Sequence, residues 1–156
     1  MKTLILYATK YGAAGEIAQR IADKIGGSVM HNLKHKDVPS LDDFGCVIIG
    51  SSVYAGSIRK EARKFIAQNA TALQEKQLGI FLSGIGADGE QRYLESNFPA
   101  ALLQKAKAAQ FLGGIFDPQK ADAFERFIIK MISKSSALIN VINDHRIDQF
   151  AQAMSS

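Results

Sequence analysis

The sequence predicts a three-layer α/β fold built on a doubly wound, five-stranded parallel sheet. Two observations carry that expectation. Short apolar runs at residues 4–7, 47–49 and 78–82 are bounded by Gly, Ser or charged residues, as strands buried on both faces are. Between them, apolar residues recur at three- and four-residue spacing, the period of a helix that buries one face. Strands alternating with helices imply parallel pairing, with helices covering both sides of the sheet.

Along the chain, the first strand at 4–7 leads into a helix whose buried stripe is Ile17, Ala18, Ile21, Ala22 and Ile25. Glu16, Gln19, Arg20, Asp23 and Lys24 take its other face, and Gly26-Gly27 supplies the stop. A weaker strand at 28–33 and a charged stretch at 34–44 precede the strand at 47–49. Ile58, Ala62, Phe65, Ile66, Asn69 and Leu73 repeat the helical spacing before the strand at 78–82. Further helices are expected at 91–108 and 121–134, a fifth strand at 110–116, and a last helix at 145–154 with Asp144 as its N-cap. No internal repeat, low-complexity tract or linker divides the chain. One domain over residues 1–156 is the economical reading, long enough to bury most of the surface of the unfolded chain.

Composition excludes several classes. Hydrophobic residues at 47% and charged residues at 22% argue against disorder and against a fibre. No apolar stretch approaches the roughly 20 residues that cross a bilayer, and the first apolar run ends by Tyr7, too short for a signal-peptide core. A cytoplasmic protein is expected. The single cysteine, Cys46, forms no intrachain disulfide and suits a buried strand position. The net charge of +4 bears on solubility and on encounter with anionic partners. No Lys/Arg block is interleaved with aromatic residues, so no nucleic-acid partner is expected. His31, His35 and His145 lack metal-ligand spacing and are read as solvated, so no metal is expected.

In an open parallel sheet, ligands bind beyond the carboxyl ends of the strands, where the winding reverses. Three post-strand loops are rich in small residues: Ala8-Thr9-Lys10-Tyr11-Gly12-Ala13-Ala14, Gly50-Ser51-Ser52-Val53-Tyr54-Ala55-Gly56-Ser57 and Ser83-Gly84-Ile85-Gly86-Ala87-Asp88-Gly89. In the first, a strand turning directly into a helix aims unpaired N–H groups and the positive end of the helix dipole at one spot. Glycine and alanine there let a phosphate approach. A tight turn that binds nothing has the same composition. No nucleotide-triphosphate loop of the G-x-x-x-x-G-K-[ST] kind occurs. Gly84 to Gly89 match G-x-G-x-x-G but follow a late strand, and clustered Asp residues of a phospho-acceptor are missing after the first and third strands.

The chain resembles the flavodoxin family, and within it the menaquinone-dependent protoporphyrinogen oxidase branch. The likeness is carried by Met1-Lys2-Thr3-Leu4-Ile5-Leu6 with Thr9, Gly12 and Glu16-Ile17-Ala18; by Val47-Ile48-Ile49-Gly50 with Ser52 and Gly56; and by residues 124–132. The resemblance implies non-covalent FMN, its phosphate surrounded by Thr9, Lys10, Tyr11, Gly12, Ala13 and Ala14. The isoalloxazine ring would then be flanked by Ser51, Ser52, Val53, Tyr54, Ala55 and Gly56 and by Ser83, Gly84, Ile85 and Gly86. Tyr54 is the expected stacking aromatic, with Tyr93 second, and no side chain is expected to be catalytic because the flavin carries the chemistry. Ala8 and Ala14 stand where the family carries hydroxyl residues, which implies weaker FMN affinity.

Phe124, Phe127, Ile128, Met131 and Ile132 form an apolar stripe with basic residues through Lys134 beside it. That pattern suits either a helix covering the sheet or a peripheral contact with the inner face of a membrane. The resemblance implies an oxidoreductase passing electrons from a reduced substrate through FMN to a quinone or other acceptor. A non-enzymatic electron carrier between redox proteins is the alternative, and a domain that kept the fold without the cofactor is a third class.

Overall fold

Leu4, Ile5 and Leu6 are all fully buried, although successive strand side chains point to opposite faces. Both faces of their strand must therefore be covered. The computed structural model, which describes residues 1–85, 89–116 and 139–156, shows how. β1 (Thr3–Ala8) sends Leu4, Leu6 and Ala8 into one core and Ile5 into the other. It pairs in parallel with β2 (Ser28–Asn32) and with β3 (Cys46–Tyr54), the latter in a register running from Thr3 opposite Cys46 to Ala8 opposite Ser51. β5 (Gln77–Ser83) adds to β3, and β6 (Ala108–Phe111) closes the edge, giving the parallel order β2-β1-β3-β5-β6. This is the five-stranded doubly wound sheet that the sequence predicts.

α1 (Ala13–Ile25) and α5 (Asp144–Ser155) cover one face through Ile17, Ile21, Ile147, Phe150 and Met154. α2 (Lys60–Gln74), α3 (Glu90–Asn97) and α4 (Ala100–Lys105) cover the other through Phe65, Ile66, Leu73, Leu94 and Leu102. α1 ends where expected, at Gly26, whose N–H donates to Ala22 O at 2.9 Å. Among the described residues, no helix is long and apolar enough to cross a membrane. Cys46 is buried at 3% exposure, and that burial pushes its thiol pKa up.

Several boundaries differ from expectation, each for a local reason. β3 extends past residue 49 to Tyr54 because a hairpin partner, β4 (Ser57–Ile58), pairs with its end, so Ile58 is a strand residue and not the start of α2. The helix expected over 91–108 is divided at Phe98-Pro99: Phe98 is extended, as a residue before proline prefers, and α4 restarts after the ring. The strand expected at 110–116 is interrupted by Gly113-Gly114. Beyond them β7 (Ile115–Phe116) pairs with β8 (Ile139–Asn140) in a separate antiparallel ribbon. The N-cap of α5 is Asn143, whose Oδ1 accepts from Arg146 N–H at 3.0 Å, so Asp144 is the first helical residue. The helix expected at 121–134 lies outside the described residues.

Gly50 in β3 is fixed by packing. A Cβ placed there would lie 1.9 Å from the Phe81 ring, which is itself edge-on to Phe150 with ring centroids 6.2 Å apart. Gly50→Ala is expected to destabilise the fold by about 2–3 kcal/mol, because overpacking must displace a ring held between the sheet and α5. A lowered urea midpoint with an unchanged slope is the expected result, and an unaltered midpoint would contradict this packing.

Candidate functional site

The chain leaves β1 and β3 in opposite directions, so the ends of these two strands bound a crevice at the carboxyl edge of the sheet. Gly12 turns the chain there at φ 102°, with open space where a side chain would project. Its N–H donates to Thr9 Oγ1 at 2.8 Å, and Glu16 N–H reaches back to Gly12 O at 3.0 Å. The N–H groups of Ala13, Ala14 and Gly15 therefore stand in the first helical turn, ahead of any helical acceptor, and project toward the amino end of α1. Ala13 and Ala14 are buried, so only their backbone is available there.

The second predicted loop is mostly strand. Ser51, Ser52, Val53 and Tyr54 belong to β3, and only Ala55 and Gly56 form the turn to β4. Both have positive φ, 51° and 81°, as a two-residue hairpin of the I′ kind requires. An alanine in that region costs about 1 kcal/mol relative to glycine. Strand alternation separates the two serines. Ser51 is turned to the α2 side, donating to Ser52 O and accepting Arg59 N–H, each at 2.9 Å. Ser52 Oγ faces the crevice and accepts Lys10 N–H at 3.1 Å, joining the first two predicted loops.

Lys10 also places its ammonium 3.4 Å from the centroid of the Tyr54 ring and 5.2 Å from that of Tyr11. One face of the expected stacking aromatic thus carries a cation within cation–π range. Tyr93 packs against the core on the α2 side. Val53 packs against that same core.

In the third loop, Ser83 pairs in register with Ser52, is 1% exposed, and its hydroxyl has no hydrogen-bond partner among the described residues. Gly84 donates its N–H to Gly113 O at 3.0 Å, and Ile85 is half-buried. Gly86 lies outside the described residues.

Three supports were not anticipated from the sequence. Asn97, at the end of α3, accepts Ile58 N–H through Oδ1 and donates to Gly56 O and Tyr93 O, each within 2.8–3.0 Å, so it clamps the β3–β4 hairpin. Glu90, at the start of α3, accepts from Arg146 and from Phe111 N–H, while Arg146 also donates to Phe111 O. That network fixes the far end of the third loop. Gly114 packs so closely beneath Gly84 that a Cβ would meet its O at 2.6 Å. The Gly-Gly pair was the one visible signal; nothing in the sequence marks Asn97 or the Arg146–Glu90 pair. His31 and His35 meet edge-on, with His31 Nε2 3.0 Å from His35 O, and among the described residues no group of three metal-ligating side chains forms.

A family model described as flavodoxin domain matches residues 4–137. The chain belongs to the flavodoxin family. It is 25% identical over 147 residues to the Escherichia coli protoporphyrinogen IX dehydrogenase (quinone), covering 87% of this chain and 81% of that protein. Among solved structures, a Streptococcus pneumoniae flavodoxin superposes with a TM-score of 0.62 at 16% identity, over 99% of this chain and 98% of that one. A Lactobacillus acidophilus flavoprotein in complex with FMN gives 0.52 at 17% identity, over 72% and 93%. At such identities the two structures speak for the flavodoxin fold alone.

Within this flavodoxin fold Asn97 bonds both the turn and the return strand of the hairpin. Asn97→Ala is expected to cost about 1–3 kcal/mol, since it leaves the part-buried Ile58 N–H and Gly56 O without their partner. Amide exchange should accelerate at Ile58 well before it does at Leu78 in the central strand; equal protection in variant and parent would contradict the clamp.

Proposed function

We propose that this flavodoxin-family protein binds one FMN non-covalently in the crevice and passes electrons from a reduced substrate to a quinone or other acceptor, as one domain spanning residues 1–156. The observation that carries the reading is the convergence of two donor sets. The amino end of α1, opened by Gly12 at φ 102°, offers backbone amides and a helix dipole to a phosphate. Across the sheet edge, Ser83 keeps a buried hydroxyl without a partner among the described residues. A flavin monophosphate has an anionic end and a polar ring edge, and these two features fit them in turn.

In this reading Thr9, Lys10, Tyr11, Gly12, Ala13 and Ala14 hold the phosphate. Ser52, Tyr54, Ala55 and Gly56 on one side, and Ser83, Gly84 and Ile85 on the other, flank the ring. Ser51 and Val53, turned to the α2 side, position that wall from behind. Tyr54 would supply the aromatic surface beside the ring, with Lys10 next to it. When bound, the flavin supplies the redox chemistry; the residues orient it, exclude water and set the charge around it. The likeness to the quinone-linked dehydrogenase supports the substrate and acceptor classes. The segment from Phe124 to Lys134, outside the described residues, is the part we propose for peripheral membrane contact.

The test is retention. Purified protein mixed with FMN and then desalted is expected to keep the flavin absorption bands and to quench flavin fluorescence, whereas riboflavin, lacking the phosphate, should bind at least about tenfold more weakly. Gly12→Val should reduce FMN retention by a similar factor, since a branched side chain both strains the turn and fills the approach. A colourless desalted protein would sink the reading. If flavin is retained, turnover of protoporphyrinogen with a menaquinone analogue tests the oxidoreductase; no rate above a flavin-only control would leave an electron carrier.

A further inference from the structure

We infer that the amino half of α2, with Arg59, Lys60, Arg63 and Lys64, is a docking face for an acidic protein. The inference deepens the preceding reading by giving the charge of the partner that meets the site, yet the docking itself does not require a bound flavin.

Charge is divided unequally between the two helical layers. On α1 and α5, three cations stand with four carboxylates: Arg20 bonds Glu16 at 2.7 Å and Asp144 at 2.8 Å, and Lys24 pairs with Asp148, while Arg146 reaches Glu90 of α3 at 2.9 Å. α2 is different. Its N-cap and first turn-and-a-half hold Arg59, Lys60, Arg63 and Lys64 against the single Glu61, and among the described residues none of the four cations forms an ion pair. Lys60, Arg63 and Lys64 are exposed. Cations at a helix amino end oppose its dipole, so local stability does not account for their placement there.

Position ties the cluster to the crevice. Arg59 N–H donates to Ser51 Oγ at 2.9 Å, and the Arg63 guanidinium donates to Ile58 O at 3.1 Å. The cations therefore ride on the hairpin that carries Tyr54. The cations stand on an exposed helix surface, whereas small ligands fill concave sites. Its next exposed positions, Ala67, Gln68 and Thr71, supply no bulky apolar anchor of the kind that an interfacial helix inserts into lipid. Phe65, the aromatic residue of this helix, is buried in the core and is not available to stack on bases. A complementary acidic protein surface is the occupant that these features favour.

The probe is a plant-type [2Fe–2S] ferredoxin, a small acidic redox protein, titrated into the intact chain with and without FMN. Binding should weaken at least about tenfold between low and near-physiological ionic strength, as steered association does. The triple variant K60E/R63E/K64E should lose at least about tenfold in affinity at low salt. K2E/K76E/K105E, with the same change in net charge at the other edge of the sheet, should bind as the parent does. Thermal midpoints check folding: K60E and K64E relieve the helix dipole while R63E gives up the bond to Ile58 O, so the first variant should melt within a few degrees of the parent. Absence of ferredoxin binding, equal loss in both variants, or preferential binding of phosphatidylglycerol vesicles or of poly(U) through these residues would overturn the inference. Ferredoxin binding that survives without retained FMN would defeat the cofactor reading alone and leave the docking face standing.

Discussion

The pairing of β1 with β3 is the constraint from which the rest follows. Once these strands lie parallel in a register from Thr3–Cys46 to Ala8–Ser51, right-handed crossovers send the chain from β1 over one face and from β3 over the other. α1 and α2 then rise on opposite sides, and the space between their amino ends cannot be filled by either helix. The Lys10 N–H to Ser52 Oγ bond spans this gap at its base. Register matters as much as order: a one-residue slip of β3 would turn Ser52 to the α2 side and bring Ser51 into the crevice.

The three inner strands β1, β3 and β5 were legible because each is buried on both faces over its apolar run, whereas the edge strand β2 has no buried residue and gave the weaker signal. α1 was legible to its last turn, since stripe, charged face and Gly26 stop all agree. Failures occur where tertiary partners override local signals. Ile58 fits the α2 stripe in sequence, but Asn97 fixes its amide and Val53 pairs with it in the hairpin. Pro99 announces a break that a continuous apolar period over 91–108 conceals. The Asp144 cap failed by one position because either neighbour offers a side-chain oxygen; Asn143, in extended conformation, reaches the Arg146 amide.

The crevice edge was legible as the ends of three strands but not as an arrangement of groups. Sequence puts Ser51 and Ser52 together, whereas alternation along an extended strand assigns them to opposite faces. It also marks Tyr54 as an aromatic without indicating that Lys10, forty-four residues earlier, sits over its ring. These are long-range consequences of the sheet register, and no local pattern encodes them. The Arg146–Glu90–Phe111 network is the same kind of feature: its members come from α5, α3 and β6 and meet only after the edge strand is in place.

The fold tolerates three local costs around one edge of the sheet. Ala55 holds a conformation that glycine or asparagine adopts more readily, Ser83 buries a hydroxyl without a partner among the described residues, and the α2 cations oppose the dipole of their own helix. An unpaired buried hydroxyl costs about 1–3 kcal/mol, and the other two contribute smaller amounts. At the opposite edge and on the α1–α5 layer the same chain follows the local rules: Gly26 stops α1, Asn143 caps α5, and the helix cations find carboxylates. Several local conflicts gathered at one edge are what a binding edge produces. A helix supplying amides, a strand pair supplying hydroxyls and a neighbouring helix supplying unpaired charge each give up some stability there, and the buried cores of both layers offset it.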